Sequence, residues 1–303
     1  MSAILRSRRD VGYNSLDMQA TVQKIYTVGF EKVQGGAVDI NAIIPHDGGE
    51  IADGGVTIWW WNPNKNEAGN IIGNEYAVWS EYWYDPLDPN ADEDGLCYAE
   101  DLTEYRWVLD DTKIDPLTGE LFQPAPWVKS FIPGDGFFCK PNVDNPELTM
   151  SGAVLNPGDA EAYYNIKVGS TQQIVLANPF PTALDLQTLI PFDGEEIADG
   201  NVSVWWWNPN KNEAGNIIGN EYAVWSEYWY DPLDPNADED GLCYAEDLTE
   251  YRWVLDDTKI DPLTGEEFLP SIWTKTIPAG EGFFCKPNVD DPTIKFPNPF
   301  FAK

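Results

Sequence analysis

The chain contains one 62-residue segment twice: residues 59–120 and residues 205–266 are identical, at an offset of 146 positions. Looser similarity continues on both sides. Upstream, AVDINAIIPHDGGEIADG (from Ala37) pairs with ALDLQTLIPFDGEEIADG (from Ala183), and downstream GDGFFCKPN pairs with GEGFFCKPN. A period of this length is that of a whole folding unit and not of a solenoid repeat. We therefore predict a basic N-terminal arm (1–20), a first β repeat (21–155) and a second β repeat (156–303).

The negative charge belongs mainly to this repeat. The formal net charge is -33 over 303 residues, and the two identical segments, each with fifteen acidic and three basic side chains, contribute -24 of it. This composition argues against a nucleic-acid partner, because phosphate binding needs clustered Lys and Arg. A surface this acidic repels itself and is relieved by divalent cations or by basic partner segments. No apolar run is long enough to cross a membrane, so membrane insertion is not expected.

Strand-forming patterns dominate each repeat. VTIWWW (56–61) is rich in β-branched and aromatic residues, and the side chains of EYAVWSEYWY (75–84) alternate between two faces. EYRWVLDD and GFFCK are also typical of strands. NPNKNEAGN, which follows the tryptophans, predicts a loop. The 24 Pro and 25 Gly confine helix to short pieces such as ALDLQTLI (183–190). We predict an all-β chain of two tandem, near-identical antiparallel β-sandwich or barrel-like units with long loops and little helix. The segment between them is strand-like, which predicts close coupling.

Three consecutive tryptophans occur in each repeat. On a strand, Trp59 and Trp61 point to one face and Trp60 to the other, so both faces need cover or the exposed rings bind something. Exposed aromatic surface is typical of protein interfaces, and two equal surfaces on one chain favour self-assembly. Flat indole faces beside polar groups and calcium are also typical of carbohydrate sites, while core packing is the alternative for any single tryptophan. The interface or glycan candidates are Trp59, Trp60, Trp61, Trp79, Trp83, Trp205, Trp206, Trp207, Trp225 and Trp229.

The acidic loop DPNADEDGLCYAED resembles the EF-hand-type loops that occur without flanking helices in secreted calcium proteins. Such a loop has oxygen ligands at positions 1, 3, 5 and 12, a carbonyl at 7 and glycine at 6. With Asn90 at position 1, Gly95 falls at position 6; the departures are Asn at position 1 and the short Asp at position 12. A solvated acidic loop is the alternative. We predict a structural calcium ion in each repeat, with ligands from Asp88, Asn90, Asp92, Asp94, Leu96 and Asp101, and from Asp234, Asn236, Asp238, Asp240, Leu242 and Asp247.

Each repeat also has two cysteines. One disulfide per repeat, Cys97 with Cys139 and Cys243 with Cys285, would fasten the acidic loop to the strand GFFCK and would indicate an oxidising compartment. Equal spacing in the two copies is no evidence for the bridges, because duplication guarantees it. Buried thiols are the alternative.

The N-terminal arm is the basic exception in this acidic chain. Residues 1–9 contain Arg6, Arg8 and Arg9 and no acidic residue. Chain ends are commonly flexible, which predicts a tail. The alternative is an assembly arm that docks on the acidic face of a neighbour.

No catalytic set is recognisable, so we do not expect an enzyme. The single histidine, His46, is matched by Phe192 in the second repeat, which argues against a Ser–His or Cys–His nucleophile. The sequence has no phosphate- or dinucleotide-binding glycine motif, and its cysteines lack the spacing of a zinc site. Glycosidases use two catalytic carboxylates, and the sequence singles out no such pair among its 51 acidic residues.

Three stretches of the second repeat resemble a group of bacterial proteins. LANPFPTALDLQTLIP, VWWWNP and GEGFFCKPN are similar to uncharacterised tandem β-modules of large bacterial surface and secreted proteins, which begin with N-P-F-P or N-P-Y-P and end with G-x-G-F-F. The first repeat departs from this pattern, since VGFEKVQGGAVDI replaces the N-P-F-P element. The resemblance implies an extracellular or cell-surface location and no known catalysis.

These observations favour an extracellular structural protein. We expect its calcium-stabilised repeats to join subunits head to tail, including by strand exchange, into a filament or surface layer. The alternative is a carbohydrate-binding adhesion module that uses Trp and Tyr surfaces with calcium. A viral or phage structural protein is a third interpretation.

Overall fold

The computed structural model describes residues 11–17, 24–27, 37–46, 51, 53–143, 147–153, 163–168, 174–180, 182–192, 197, 199–211, 215, 217–289 and 292–299. These residues form β-strands joined by turns, and their only helical pieces are 3-10 turns of three residues. None of the described helices is long and apolar enough to cross a membrane. The predicted all-β class is confirmed.

The two repeats build the same succession of strands. The first contains β1 (Val11–Asp17), β2 (Lys24–Thr27), β3 (Val38–Asp39), β4 (Ile43–His46), β5 (Val56–Lys65), β6 (Ile71–Ser80), β7 (Tyr82–Tyr84), β8 (Leu96–Tyr98), β9 (Arg106–Leu109), β10 (Ser130–Phe131), β11 (Gly136–Pro141) and β12 (Glu147–Ala153). The second contains β13 (Tyr163–Lys167), β14 (Ile174–Ala177), β15 (Leu184–Asp185), β16 (Ile190–Phe192), β17 (Val202–Lys211), β18 (Ile217–Ser226), β19 (Tyr228–Tyr230), β20 (Leu242–Tyr244), β21 (Arg252–Leu255), β22 (Thr276–Ile277), β23 (Gly282–Pro287) and β24 (Thr293–Pro297). The stretch predicted to be helical contributes one 3-10 turn, Leu186–Thr188, between β15 and β16.

Each repeat folds these strands into one large sheet and smaller ones. The large sheet has the order β2-β11-β5-β6-β9 in the first repeat and β14-β23-β17-β18-β21 in the second. Three-stranded sheets have the orders β1-β12-β4 and β13-β24-β16, and the remaining strands form two-stranded pairs. The pairings between described strands are antiparallel. The result is a β-sandwich-like arrangement in which each sheet is built by one repeat.

A long hairpin, β5 with β6, lies at the centre of the first large sheet. Its register is regular as far as Asn62 opposite Gly73 and then shifts before Lys65. The shift lies between Asn62 and Lys65, a stretch that contains Pro63, which has no N–H for the ladder and is tolerated at a bulge. The strand therefore continues to Lys65, although the sequence predicted a loop from Asn62 onwards.

The inner face of this sheet forms the core of the first repeat. Its fully or almost fully buried side chains include Val56, Ile58, Ala77, Phe137 and Cys139. Trp107 of β9 has none of its surface exposed, and its Nε1 donates to the Ile43 carbonyl at 2.8 Å. The second repeat has the same bond from Trp253 to the Leu189 carbonyl at 2.9 Å. Because the indole N–H is paired, burying the ring brings no penalty for a lost hydrogen bond.

The outer faces of the two large sheets meet, and a chain of aromatic rings crosses from one repeat to the other. Trp59 stacks on Phe138, with ring centroids 5.1 Å apart and an interplanar angle of 4°. Trp205 stacks on Phe284 in the same way, at 5.0 Å and 10°. The ring centroids of Phe138 and Phe284 lie 5.5 Å apart, and Val175 packs with both in one apolar cluster. The tryptophan face that one repeat alone would expose is therefore partly covered by the equivalent face of the other.

A main-chain contact also joins the repeats. The Gly134 carbonyl, just before β11, accepts a hydrogen bond from the Ala177 N–H at 2.8 Å, and Asp135 forms an isolated bridge with Leu176. Burial at this contact raises the pKa of Asp135 to about 6. The sheets do not exchange strands within the described ranges, so the coupling depends on these contacts between intact repeats.

Parts of the predicted N-terminal arm and of the segment between the repeats belong to the sheets. Residues 11–17 of the predicted arm form β1, which pairs with β12, whereas Arg6, Arg8 and Arg9 lie outside the described residues. The strand-like segment between the repeats contains β13, which pairs with β24. The first and last strands of each repeat are thus neighbours.

We expect Gly134→Ala to loosen the contact between the repeats. Gly134 has φ of 98°, in the left-handed region, and an added Cβ would overlap Ile166 Cδ1 in the core of the second repeat. Gly119→Ala is the matched control, because Gly119 has φ of 76° but open space around it. The loss of unfolding free energy should be about 1–3 kcal/mol larger for Gly134→Ala, measured by urea unfolding. Equal losses would contradict a close approach of the repeats at Gly134.

Candidate functional site

The outer faces of the two large sheets leave a cleft of about 580 Å³ between the repeats. Its volume lies in the range of small-molecule sites. Four indoles line the cleft, Trp59 and Trp61 from β5 and Trp205 and Trp207 from β17. They occur in pairs because residues two apart on a strand share a face. The predicted orientation of the triple tryptophan therefore creates a paired aromatic lining.

Polar side chains lie at equivalent positions on the two walls of this cleft. Asn74 and Asn220 are the cross-strand neighbours of cleft tryptophans. Each donates from Nδ2 to a tyrosine hydroxyl at 3.2 Å, Asn74 to Tyr76 and Asn220 to Tyr222. None of the described side chains that line the cleft is charged. The cleft is thus a neutral, aromatic site in a strongly acidic chain.

Two polar atoms of the cleft are buried without a hydrogen-bond partner among the described residues. They are the indole Nε1 of Trp61 and the amide Oδ1 of Asn220. The first is a donor and the second an acceptor, and they belong to different repeats. A buried polar group left unpaired costs about 1–3 kcal/mol. Neither atom has appreciable accessible surface, so a bound molecule would reach other atoms of the lining and not these two.

Several of the other predicted surface tryptophans are part of the repeat interiors, which corrects the prediction for them. The buried ones are Trp79, Trp83 and Trp225, each with only 5% or 6% of its surface exposed. Trp60 and Trp206 are partly buried and pack against the cores of their own repeats. Trp229 is partly exposed. The alternation that turns Trp59 and Trp61 outwards is the same alternation that turns Trp60 inwards.

The carboxylates of the acidic loop bind their own main chain. Asp88 Oδ1 accepts from the Asn90 N–H at 2.8 Å, and Asp92 Oδ1 accepts from the N–H groups of Asp94 and Leu96, both at 2.9 Å. Asp101 accepts from the Thr103 N–H at 2.8 Å. The same bonds recur at Asp234, Asp238 and Asp247. These are Asx turns, which place Asp and Asn at short regular intervals without any metal.

The glycine of the loop also has a structural explanation. Gly95 has φ of 81°, and an added Cβ would lie 2.9 Å from Tyr84 Cε2. The Leu96 carbonyl, a predicted ligand, accepts from the Asp92 N–H at 2.9 Å. Throughout the described ranges, which contain all twelve predicted ligands, no three His, Cys, Asp or Glu side chains are grouped to hold a metal ion. The donor set does not fit a preformed calcium site, and calcium binding stays a prediction.

The cysteines are buried thiols, and the predicted disulfides are absent. Cys97 packs with Trp83 and Val108, whereas Cys139 belongs to the main core of the first repeat. Burial raises the pKa of both thiols, and the pKa of Cys285 rises to about 12. Since the thiolate is the reactive form, the cysteines are inert packing residues.

Sequence reasoning missed five residues of the cleft, namely Asn74, Phe138, Asn220, Tyr222 and Phe284. Phe138 and Phe284 were seen only as parts of the strand GFFCK, because their position opposite a tryptophan depends on strand register. Asn74 and Asn220 could have been found from the sequence. Each lies two residues before a tyrosine of the same strand, and period-two alternation places such residues on one face.

Comparison of the chain with protein-family models, with curated proteins and with solved structures gave no match. The site is therefore interpreted from its own geometry.

Paired substitutions at Asp92 and Asp238 test whether the loop depends on Asx turns or on calcium. Asparagine keeps the side-chain oxygen that caps the turn, so we expect Asp92→Asn with Asp238→Asn to keep the melting temperature. Alanine removes the cap, and Asp92→Ala with Asp238→Ala should cost roughly 0.5–1 kcal/mol per repeat, equally in EDTA and in calcium. If calcium instead raised the melting temperature of the parent protein, and the Asn variant lost that increase, the calcium site would be established.

Proposed function

We propose that the chain is a non-catalytic carbohydrate-binding protein whose site is the cleft between its repeats. The observation that carries this proposal is the neutral cleft lined by four indoles, two from each repeat. The C–H faces of sugar rings pack on flat indole faces, and sugar hydroxyls pair with the amide, phenol and indole groups beside them.

The charge and polarity of the cleft favour a sugar over other ligand classes. The chain has 51 acidic residues against 18 basic ones, and no cationic side chain is among the described residues of the cleft, so an anionic ligand would be repelled. A purely apolar ligand, such as a lipid chain, would cover the polar lining residues Asn74, Asn220 and Tyr222 without hydrogen-bonding to them. A neutral molecule with both apolar faces and hydroxyl groups satisfies both requirements.

An extracellular or cell-surface location is part of this proposal. It is supported by the resemblance of the second repeat to modules of bacterial surface and secreted proteins, and by the kind of ligand that the cleft favours. Calcium is not required, because the polar groups of the cleft come from amide, phenol and indole side chains.

Removal of the cleft indoles tests the proposed function. We expect Trp61→Ala with Trp207→Ala to weaken binding of neutral polysaccharides by about tenfold or more, because each indole loses its stacking contact with a sugar ring. Affinity electrophoresis in gels that contain cellulose derivatives, mannan or β-1,3-glucan would measure the change. Tyr98→Ala with Tyr244→Ala is the control, since these exposed tyrosines lie on β8 and β20. Parent protein that no polysaccharide retards would contradict the proposal.

Self-assembly into a structural filament or layer is the second candidate function. The observation that favours it is the exposure of Leu87 and Leu233, 91% and 92%, immediately before the acidic loop in each repeat. Two equal apolar contact points on one chain meet the geometric condition for repeated association between subunits.

Light scattering with size-exclusion chromatography would test this second candidate. If the leucines join subunits, the parent protein should form larger species as its concentration rises, and Leu87→Ser with Leu233→Ser should abolish them. Ile114→Ser with Ile260→Ser is the control, because these residues are also exposed but lie in another loop. A parent protein that stays monomeric at all concentrations would rule out assembly through the leucines.

A further inference from the structure

A lysine, a glutamate and an asparagine lie together on the inner face of the large sheet, on the side opposite the cleft. Glu75 lies across the ladder from Trp60, and Asn62 follows Trp60 by two residues on the same face of β5. Lys129, from the segment before β10, places Nζ 2.9 Å from the centroid of the Trp60 ring. The same residue types occupy the equivalent positions of the second repeat, as Glu221, Asn208 and Lys275.

The amide group of Asn62 is held at both of its polar atoms. Its Nδ2 donates to Glu75 Oε1 at 2.7 Å, and its Oδ1 accepts from the Asn64 N–H at 3.0 Å. Only 8% of the surface of Asn62 is exposed. An N–H on an amide oxygen stabilises the negative charge that develops there when a nucleophile adds to the carbon, and a carboxyl group on the amide nitrogen can pass it a proton. These contacts prepare the amide carbon for attack.

The second repeat shows the lysine in contact with the equivalent carboxylate. Lys275 Nζ lies 2.8 Å from Glu221 Oε2, and it is 4.8 Å from the centroid of the Trp206 ring. The amide in one repeat and the amine in the other thus contact the same carboxylate position. Two donors on one carboxylate lie within roughly 3–7 Å of each other, a distance that the flexible stem of lysine can close.

Lys129 has the surroundings of a nucleophilic lysine. Burial lowers the pKa of its amine, although the negative charge of Glu75 opposes this shift. A larger fraction of the amine is therefore neutral than in water, and the neutral amine is the nucleophilic form. Trp127 Nε1 donates to Glu75 Oε2 at 3.3 Å, so the carboxylate is also oriented by an indole of the core.

We infer that each repeat forms an amide bond between its lysine and its asparagine, joining Lys129 to Asn62 and Lys275 to Asn208. The Nζ–Cγ bond forms and the Cγ–Nδ2 bond breaks, so that the amide nitrogen leaves as ammonia. The glutamate accepts a proton from the lysine nitrogen and returns it to the departing nitrogen. The step is redox-neutral, and its atoms balance with these groups alone.

The bond would join β5, at the centre of the large sheet, to the segment that precedes β10. It would close a covalent ring through residues 62–129, and the equivalent ring of the second repeat would run through residues 208–275. Such a cross-link stabilises a fold mainly by restricting the unfolded chain. Trp59 and Trp61 point to the opposite face of β5, so the bond does not depend on carbohydrate binding in the cleft.

Mass spectrometry of the intact, denatured chain would detect the bonds. Each bond releases one ammonia, so we expect the mass to lie about 17 Da below that of the sequence per bond, and about 34 Da below it for both repeats. A succinimide at an asparagine would lose the same mass. Proteolytic digestion separates the two cases, because only the proposed bond yields peptides linked through Lys129 and Asn62, and through Lys275 and Asn208.

Lys129→Arg with Lys275→Arg removes the nucleophile. We expect this variant to have the full mass of its sequence and no linked peptides, because a guanidinium stays protonated. Lys113→Arg with Lys259→Arg is the matched control, since these exposed lysines lie in another loop and both bonds should form. The control should also melt at a higher temperature than the variant that lacks the nucleophile.

Glu75→Gln with Glu221→Gln removes the proton carrier and keeps a side chain of the same shape. A glutamine cannot accept and return the proton, so most of this variant should remain unlinked while its circular dichroism stays that of the parent protein.

A folded parent protein that has the full mass of its sequence and yields no linked peptides would overturn the inference. A loss of ammonia that persists when both lysines are replaced by arginine would also overturn it, because another group would then have reacted. Both outcomes leave the proposed carbohydrate function in place.

Discussion

The contact between Phe138 and Phe284 is the interaction on which the arrangement of the chain depends. A strand with three consecutive tryptophans has two aromatic faces, and the core of one repeat can cover only one of them. The second repeat covers part of the other face, since Trp59, Phe138, Phe284 and Trp205 form a continuous series of ring contacts. Phe138 is buried and the other three rings are partly buried, so the apolar surface that the series removes from water contributes to the coupling. Duplication thereby solves a solvation problem that a single repeat would have.

The cleft results from the same packing. The rings of the aromatic series line the cleft themselves, together with Trp61 and Trp207 further along β5 and β17. Binding surface and structural interface are therefore formed by neighbouring residues of the same strands. A change that shifts the repeats relative to one another would alter the cleft as well.

The sequence predicted features that depend on local alternation and missed those that depend on register or on side-chain capping. The opposite orientations of Trp60 and its two neighbours followed from the period of a strand, and the all-β class followed from the density of such patterns. The extension of β5 past Pro63 was missed because a bulge is a property of the strand pair and not of one segment. The carboxylate spacing around Asp92 suggested calcium, because Asx turns and EF-hand loops place Asp, Asn and Gly at similar intervals. The contact of Phe138 with Phe284 joins residues of different repeats, and no pattern within one repeat contains it.

The pairing of the first strand of each repeat with the last has a mechanical consequence. Val11 lies opposite Ala153, and Tyr163 lies opposite Pro297, so the chain enters and leaves each repeat at adjacent points. Tension applied along the chain would pull these points apart and break the pairs one after another from that end, instead of shearing the whole ladder at once. The three-stranded sheets would therefore open first under force. The five-stranded sheets, with the aromatic contact and the cleft between them, lie outside the path of the applied load.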